Sequence, residues 1–190
     1  GTASYEPMDE EHPLNPTTPY ASAKAGADRL VYSYIKSYDI PGVIIRPFNN
    51  YGPYQHLEKV IPRFITSALL REPLTIHGDG SALRDWIYVE DTAEAVDIAI
   101  HSSIDKIKGE VFNVGTGISI NVKNIAQKIA DIFGLDDEHM IFMEERFGQV
   151  QNHISSTEKA EKLLGFKAKV LFEEGLEKTI KWYKENRQHW

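Results

Sequence analysis

Two short runs, Val43-Ile44-Ile45 and Val111-Phe112-Asn113-Val114, constrain the fold more than any other feature of the chain. Both are rich in β-branched and aromatic residues and lack the regular apolar–polar alternation of a strand with one wet face. Strands of this kind are covered on both faces, as in a parallel sheet with helices packed on it. Parallel neighbours cannot be joined by a tight turn, so helical crossovers should lie between them. The sequence supplies these. Pro19 suits a first helical turn, and Ala23, Ala27, Leu30, Val31 and Tyr34 follow at helical spacing until Pro41-Gly42 closes the segment. Further helices are predicted over 57–70, over 92–103 with Asp91 or Thr92 as cap, and over 121–133 between an Asn121 cap and a Gly134 stop. Two more fall near 157–164 and 172–187. Leu74-Thr75-Ile76, the extended stretch 85–89 and Met140-Ile141-Phe142 add short strands. Residues 46–53 read as a loop leaving the sheet, and Gly78-Asp79-Gly80 as a turn. Strands alternating with helices define an α/β class with parallel sheet.

Charge and composition exclude several functions. Lys and Arg total 21 against 28 Asp and Glu, a net charge of −7. That argues against a general nucleic-acid binder, because phosphate contacts need clustered cations. No apolar run approaches the length of a membrane span. There is no cysteine, so there is no disulfide framework and no thiolate metal site, which suits the cytoplasm. His12, His56, His77, His101, His139, His153 and His189 show no metal-type pairing, and no metal site is expected. Glu144-Glu145 reads as a pair of solvated acids.

Tyr20 and Lys24 lie four apart at the start of a predicted helix, a spacing that puts both on one face. A cation beside a phenol favours the phenolate, which can take a proton from an alcohol. The same Tyr-x-x-x-Lys pattern recurs at Tyr32 and Lys36, well inside the helix, where a solvated face accounts for it. Context separates the two pairs. Asn15-Pro16-Thr17-Thr18-Pro19 precedes Tyr20. After it come Arg46-Pro47-Phe48-Asn49-Asn50-Tyr51-Gly52-Pro53, Gly78-Asp79-Gly80, Arg84-Asp85-Trp86-Ile87-Tyr88-Val89-Glu90-Asp91 and Phe112-Asn113-Val114-Gly115. Arg84 and Arg146 place local positive charge in an acidic chain; a surface ion pair such as Arg84 with Asp85 is the bland reading of such an arginine.

This ordered set resembles the extended short-chain dehydrogenase/reductase family acting on nucleotide sugars, and looks most like its dTDP-glucose 4,6-dehydratases and NAD-dependent epimerase-dehydratases. The resemblance implies that Tyr20 is the base that takes the sugar 4-hydroxyl proton, with NAD as hydride acceptor. Lys24 would bind the nicotinamide ribose and favour the Tyr20 phenolate. Asn50 would lie by the cofactor and Asn49 by the sugar or its diphosphate. Lys59 and Val60 would contact the nucleotide sugar, a dTDP- or UDP-hexose. Thr75, Ile76 and His77 would line the base and ribose, Asn113 would sit beside the nucleotide, and Arg84 and Arg146 would hold the diphosphate. The reaction implied is oxidation at C4, loss of water across C5 and C6, and return of hydride to C6. A 4-epimerase would use the same Tyr20 and Lys24, and a non-catalytic dimerising or nucleotide-sugar-binding piece is the third reading. The apolar stripe of the Tyr20 helix matches the helix that relatives pair across a homodimer.

The sequence also departs from the resemblance. The glycine-rich fingerprint that brings backbone amides to a cofactor pyrophosphate is absent from these 190 residues. Phe147 stands where relatives often carry Pro, and Asn152 where many carry Arg. The chain starts at Gly1 in a proline-rich polar stretch and reads as the C-terminal portion of a longer enzyme. On this reading residues 1–56 and 86–118 are the remnant of a Rossmann-type NAD-binding domain, and residues 57–85 and 119–190 form the nucleotide-sugar lobe.

Overall fold

In the computed structural model, residues 3–146, 148 and 150–190 are described. The predicted alternation is present. Helix α1 (Pro19–Tyr38) starts where Thr18 Oγ1 accepts the Ala21 N–H at 3.1 Å, and ends at Asp39 in the left-handed region. Strands β1 (Ile44–Pro47) and β2 (Asn49–Tyr51) follow, then α2 (Val60–Leu70), β3 (Leu74–His77) and β4 (Leu83–Tyr88). Next come α3 (Val89–His101), the short α4 (Ile104–Ile107), β5 (Val111–Val114), β6 (Ser119–Asn121) and α5 (Val122–Phe133). Strand β7 (Met140–Met143), a π-helical segment Ala160–Leu164 and α6 (Phe172–Glu185) complete the order.

Parallel pairing dominates among the described strands, although in β1 only Ile44 is buried. β1 pairs with β5, aligning Ile45 with Phe112; β2 pairs with β4, aligning Asn50 with Ile87; β3 pairs with β7, aligning Ile76 with Phe142. Among the described strands β6 alone runs antiparallel, against β4. Side chains alternate across a strand, and β4 uses this to serve two cores. Trp86 and Tyr88 enter one with Ile61, Phe64 and Ile65 of α2, Ile125 and Ile129 of α5, and Leu176 and Ile180 of α6. Ile87 enters the other with Ala95 and Ala99 of α3, Phe112 and Val114 of β5, and Leu164.

Three expectations are corrected. Asn49 to Tyr51 is a strand and not a loop; its two asparagines lack the apolar signal because their backbone, not their side chains, does the pairing. The helix expected from 57 begins at Val60. The helix expected from 92 begins at Val89, so neither Asp91 nor Thr92 caps it. Instead the buried Asp91 carboxylate accepts the backbone N–H groups of Lys169 and Val170 at 3.2 and 3.0 Å, anchoring the approach to α6. Gly175 has a steric reason. A Cβ there would stand 2.2 Å from the Tyr51 hydroxyl, which donates to Phe172 O, so the fully buried Tyr51 depends on a residue without one. Among the described residues no helix is long and apolar enough to cross a membrane.

Asp85 joins what the strands leave separate. Fully buried, it accepts from the backbone N–H groups of Thr116, Gly117 and Ser155 and from the hydroxyls of Thr116 and Ser155. Replacing Asp85 with Ala takes the acceptor from five donors, of which the Ser155 N–H and hydroxyl are fully buried, and each buried donor left unsatisfied costs about 1–3 kcal/mol. Urea unfolding of Asp85→Ala should show a loss of about 3 kcal/mol or more, and Asp85→Asn a smaller loss.

Candidate active site

The N-terminal turns of α1 present the catalytic candidates. Tyr20 is 75% exposed and Lys24 is also exposed one turn on. The second pair, Tyr32 and Lys36, lies further along the helix, with the Lys36 ammonium 5.5 Å from the Tyr32 ring centre. The start of α1 does not stand alone. A Cβ on Gly148 would meet Thr18 Cγ2 at 2.8 Å, which places the segment after β7 against the Thr18 cap.

That segment gathers the cationic residues. Arg146 shares a hydrogen bond with His77 Nε2 at 2.8 Å, and His77 Nδ1 lies 3.1 Å from Glu144 O. A guanidinium can only donate, so Nε2 accepts and the proton sits on Nδ1, donated to Glu144 O. His77 thereby orients Arg146. Arg84 donates to Leu83 O, Gln151 O and Val150 O. These take three of its five N–H donors, and the other two have no partner among the described residues. Burial pulls the Arg84 guanidinium below its usual value. Asp85, offered as its ion-pair partner, is instead committed to Thr116, Gly117 and Ser155.

Asn49 and Asn50 are half-buried on β2. The Asn50 side chain accepts from Thr92 Oγ1 at 2.5 Å and donates to Phe48 O at 3.2 Å, which leaves one amide hydrogen uncommitted. Lys59 is exposed at the N-cap of α2, and Val60 begins that helix. Thr75 and His77 share the more open face of β3.

Two side chains of the expected set are buried. Ile76 points the opposite way along β3 and is fully buried in the core. Asn113 is 3% exposed, with its side-chain amide donating to Met8 O and its backbone N–H donating to Glu10 Oε1. Alternation along the strand, and the N-terminal segment lying across β5, turn both away from an open surface. Phe147 lies outside the described residues. Asn152 is half-buried next to His153.

Nothing local in the sequence marks Thr92 or His153 as neighbours of the site, because their partners are distant along the chain. The His153 ring lies 4.7 Å from that of Phe48. Burial, with the Arg84 charge nearby, pushes its imidazole down to about 4. A free imidazole titrates near 6.5, so below that pH the unfolded chain binds a proton that the native protein refuses. Stability should hold above pH 6.5 and fall as pH drops toward 4; denaturant unfolding at pH 7 and pH 5 checks this, and His153→Gln should flatten the difference.

A family model for GDP-mannose 4,6 dehydratase matches residues 1–179. The low-salt glycan biosynthesis protein Agl12 of Haloferax volcanii is 41% identical over 174 residues, covering 92% of this chain and 55% of that protein. The trifunctional UDP-glucose 4,6-dehydratase/UDP-4-keto-6-deoxy-D-glucose 3,5-epimerase/UDP-4-keto-L-rhamnose-reductase RHM2 of Arabidopsis thaliana is 42% identical over 182 residues, covering 95% of this chain and 27% of that protein. The crystal structure of DesIV, a dTDP-glucose 4,6-dehydratase from Streptomyces venezuelae with NAD and TYD bound, superposes with a TM-score of 0.94 at 33% identity. It is matched over 100% of this chain and 58% of its own. The chain thus spans little more than half the length of the relatives it matches, or less. An α/β fold with parallel strands, a Tyr-x-x-x-Lys helix and a match running through residue 179 lead to one assignment: the chain belongs to the GDP-mannose 4,6 dehydratase family.

Proposed function

We propose that this chain provides the acid–base residues and nucleotide-sugar lobe of an NAD-dependent nucleotide-sugar 4,6-dehydratase. The observation that carries the reading is the opening of α1 beside the cationic segment: an exposed Tyr20 and Lys24, with Gly148 packed on the Thr18 cap and Arg146 two residues before it. Tyr20 takes the proton of the sugar 4-hydroxyl, and the Lys24 ammonium stabilises the phenolate so formed. Arg84, through its two remaining N–H donors, and Arg146, steadied by His77, hold the diphosphate. Asn49, Lys59, Val60 and Thr75 line the approach of the sugar nucleotide.

The residues present fit the nicotinamide end of NAD. Asn50 keeps a free amide hydrogen in a side chain already locked by Thr92, and Lys24 offers a donor to a ribose hydroxyl. When bound, NAD supplies a hydride acceptor and donor. The glycine-rich fingerprint for its pyrophosphate does not occur in these residues, so these 190 residues alone should not be competent for turnover. Residues 1–56 and 86–118 then complete the cofactor side, and 57–85 and 119–190 the substrate lobe. The exposed apolar residues of α1, including Leu30 at 59% and Tyr34 at 51%, support a homodimer joined through this helix.

The test uses the full-length protein with NAD and dTDP-glucose or a UDP-hexose. A 4-keto-6-deoxy product is expected; a 4-epimer as sole product, or no product from any donor, would reject the dehydratase reading. Tyr20→Phe should lower kcat at least about a thousandfold while substrate affinity measured by calorimetry stays within about threefold. Retained turnover would remove Tyr20 from the role of base.

A further inference from the structure

The loop between β2 and α2 is gripped from both sides. Tyr54 adopts a φ of +61°, and its ring lies 4.6 Å from Trp182 and 5.7 Å from His189. The next residue, Gln55, forms two hydrogen bonds in opposite directions. Its backbone carbonyl accepts from the Tyr183 hydroxyl at 2.6 Å, and its side-chain Nε2 donates to Asn50 O at 2.7 Å. Tyr183 is itself fixed within α6, where the Trp190 indole donates to its carbonyl at 2.9 Å. Asn50 is fixed on its far side by Thr92 of α3. A continuous chain of contacts thus runs from the C-terminal helix through one loop residue to β2.

The remaining polar atom of this glutamine shows what the arrangement is for. Gln55 Oε1 is buried and has no hydrogen-bond partner among the described residues. Turning the amide over would not relieve it, because two oxygens would then face each other at Asn50. A buried acceptor left unpaired works against stability. An apolar side chain of the same length would remove that cost, so packing alone does not explain a glutamine here.

We propose that Gln55 is a positioning residue, clamped between Tyr183 and Asn50 so that α6 sets the pose of Asn50 at the cofactor-facing edge of β2. This rests on the reading above that Asn50 lies beside NAD. Burial pushes the Tyr183 hydroxyl up to about 12, so it remains a donor across the working pH range.

The experiment compares full-length wild type with Gln55→Met, Tyr183→Phe and the double variant. NAD affinity is read by calorimetry, unfolding by denaturant, and backbone amide exchange at residues 49–51 by mass spectrometry or NMR. Gln55→Met should weaken NAD binding about tenfold without loss of stability, and exchange at 49–51 should rise several-fold in both single variants. The double variant should bind NAD no worse than Gln55→Met, because both changes cut one chain of contacts. Gln55→His, which keeps an N–H donor at similar reach, should recover most of the affinity. Wild-type affinity and exchange in Gln55→Met, or additive losses in the double variant, would overturn the proposal. If wild type itself fails to bind NAD, the functional reading falls, and amide exchange alone still decides whether α6 and β2 are coupled.

Discussion

A carboxylate taken wholly out of water without an ion-pair partner is expensive unless donors surround it. Asp85 meets that condition with five hydrogen bonds from Thr116, Gly117 and Ser155. They tie the middle of β4 to the turn after β5 and to the segment that returns from β7. They join the sheet of β2, β4 and β6 to the end of β5, which pairs with β1, and add to the backbone bonds that hold the returning segment on β4. With them the segment carrying Arg146 and His153 has a defined register: Leu83 and Asp85 donate their backbone N–H groups to Gln151 O and His153 O. The placement of Arg84 beside that segment follows, because it sits between these two residues on the same strand.

The rest of the architecture serves the same strand. β4 is central because its alternating side chains feed both cores, Trp86 and Tyr88 one way and Ile87 the other. Helix α6 reaches the other side of the site through Tyr51 and Tyr183, and Gly175 is what lets Tyr51 approach so closely. The candidate site therefore sits where short polar strands and loops are held by buried polar anchors, while the helices supply most of the apolar area. This division is common to enzymes whose reactive groups need fixed geometry and access to water at once.

Much of this was legible from the residues. The runs 43–45 and 111–114 read as doubly covered strands, and they pair with each other in parallel. Asn121 and Gly134 read as the ends of a helix, and Asn121 Oδ1 accepts the Asn124 N–H there while Gly134 is left-handed. Strand β2 leaves no mark in the sequence because asparagines are poor strand formers and its partner β4 lies over 30 residues away. Asp91 was read as a cap because local rules favour it, whereas its partners, Lys169 and Val170, are 78 and 79 residues distant. The Arg84–Asp85 pairing failed for the related reason that neighbours on a strand point to opposite faces.

Residue order and type were enough to establish an α/β chain with parallel strands and a resemblance carried by Tyr20, Lys24 and the arginine-bearing motifs, because helix periodicity, capping and motif spacing are local properties. They could not say which polar side chains stay available. Only the tertiary structure decided that Asn113 is occupied by Met8 and Glu10, that His77 orients Arg146, that Arg84 donates to the carbonyls of Leu83, Val150 and Gln151, and that Gln55 links α6 to Asn50. Hydrogen bonds between residues far apart in sequence leave no periodic trace, and they settle which groups remain to do chemistry.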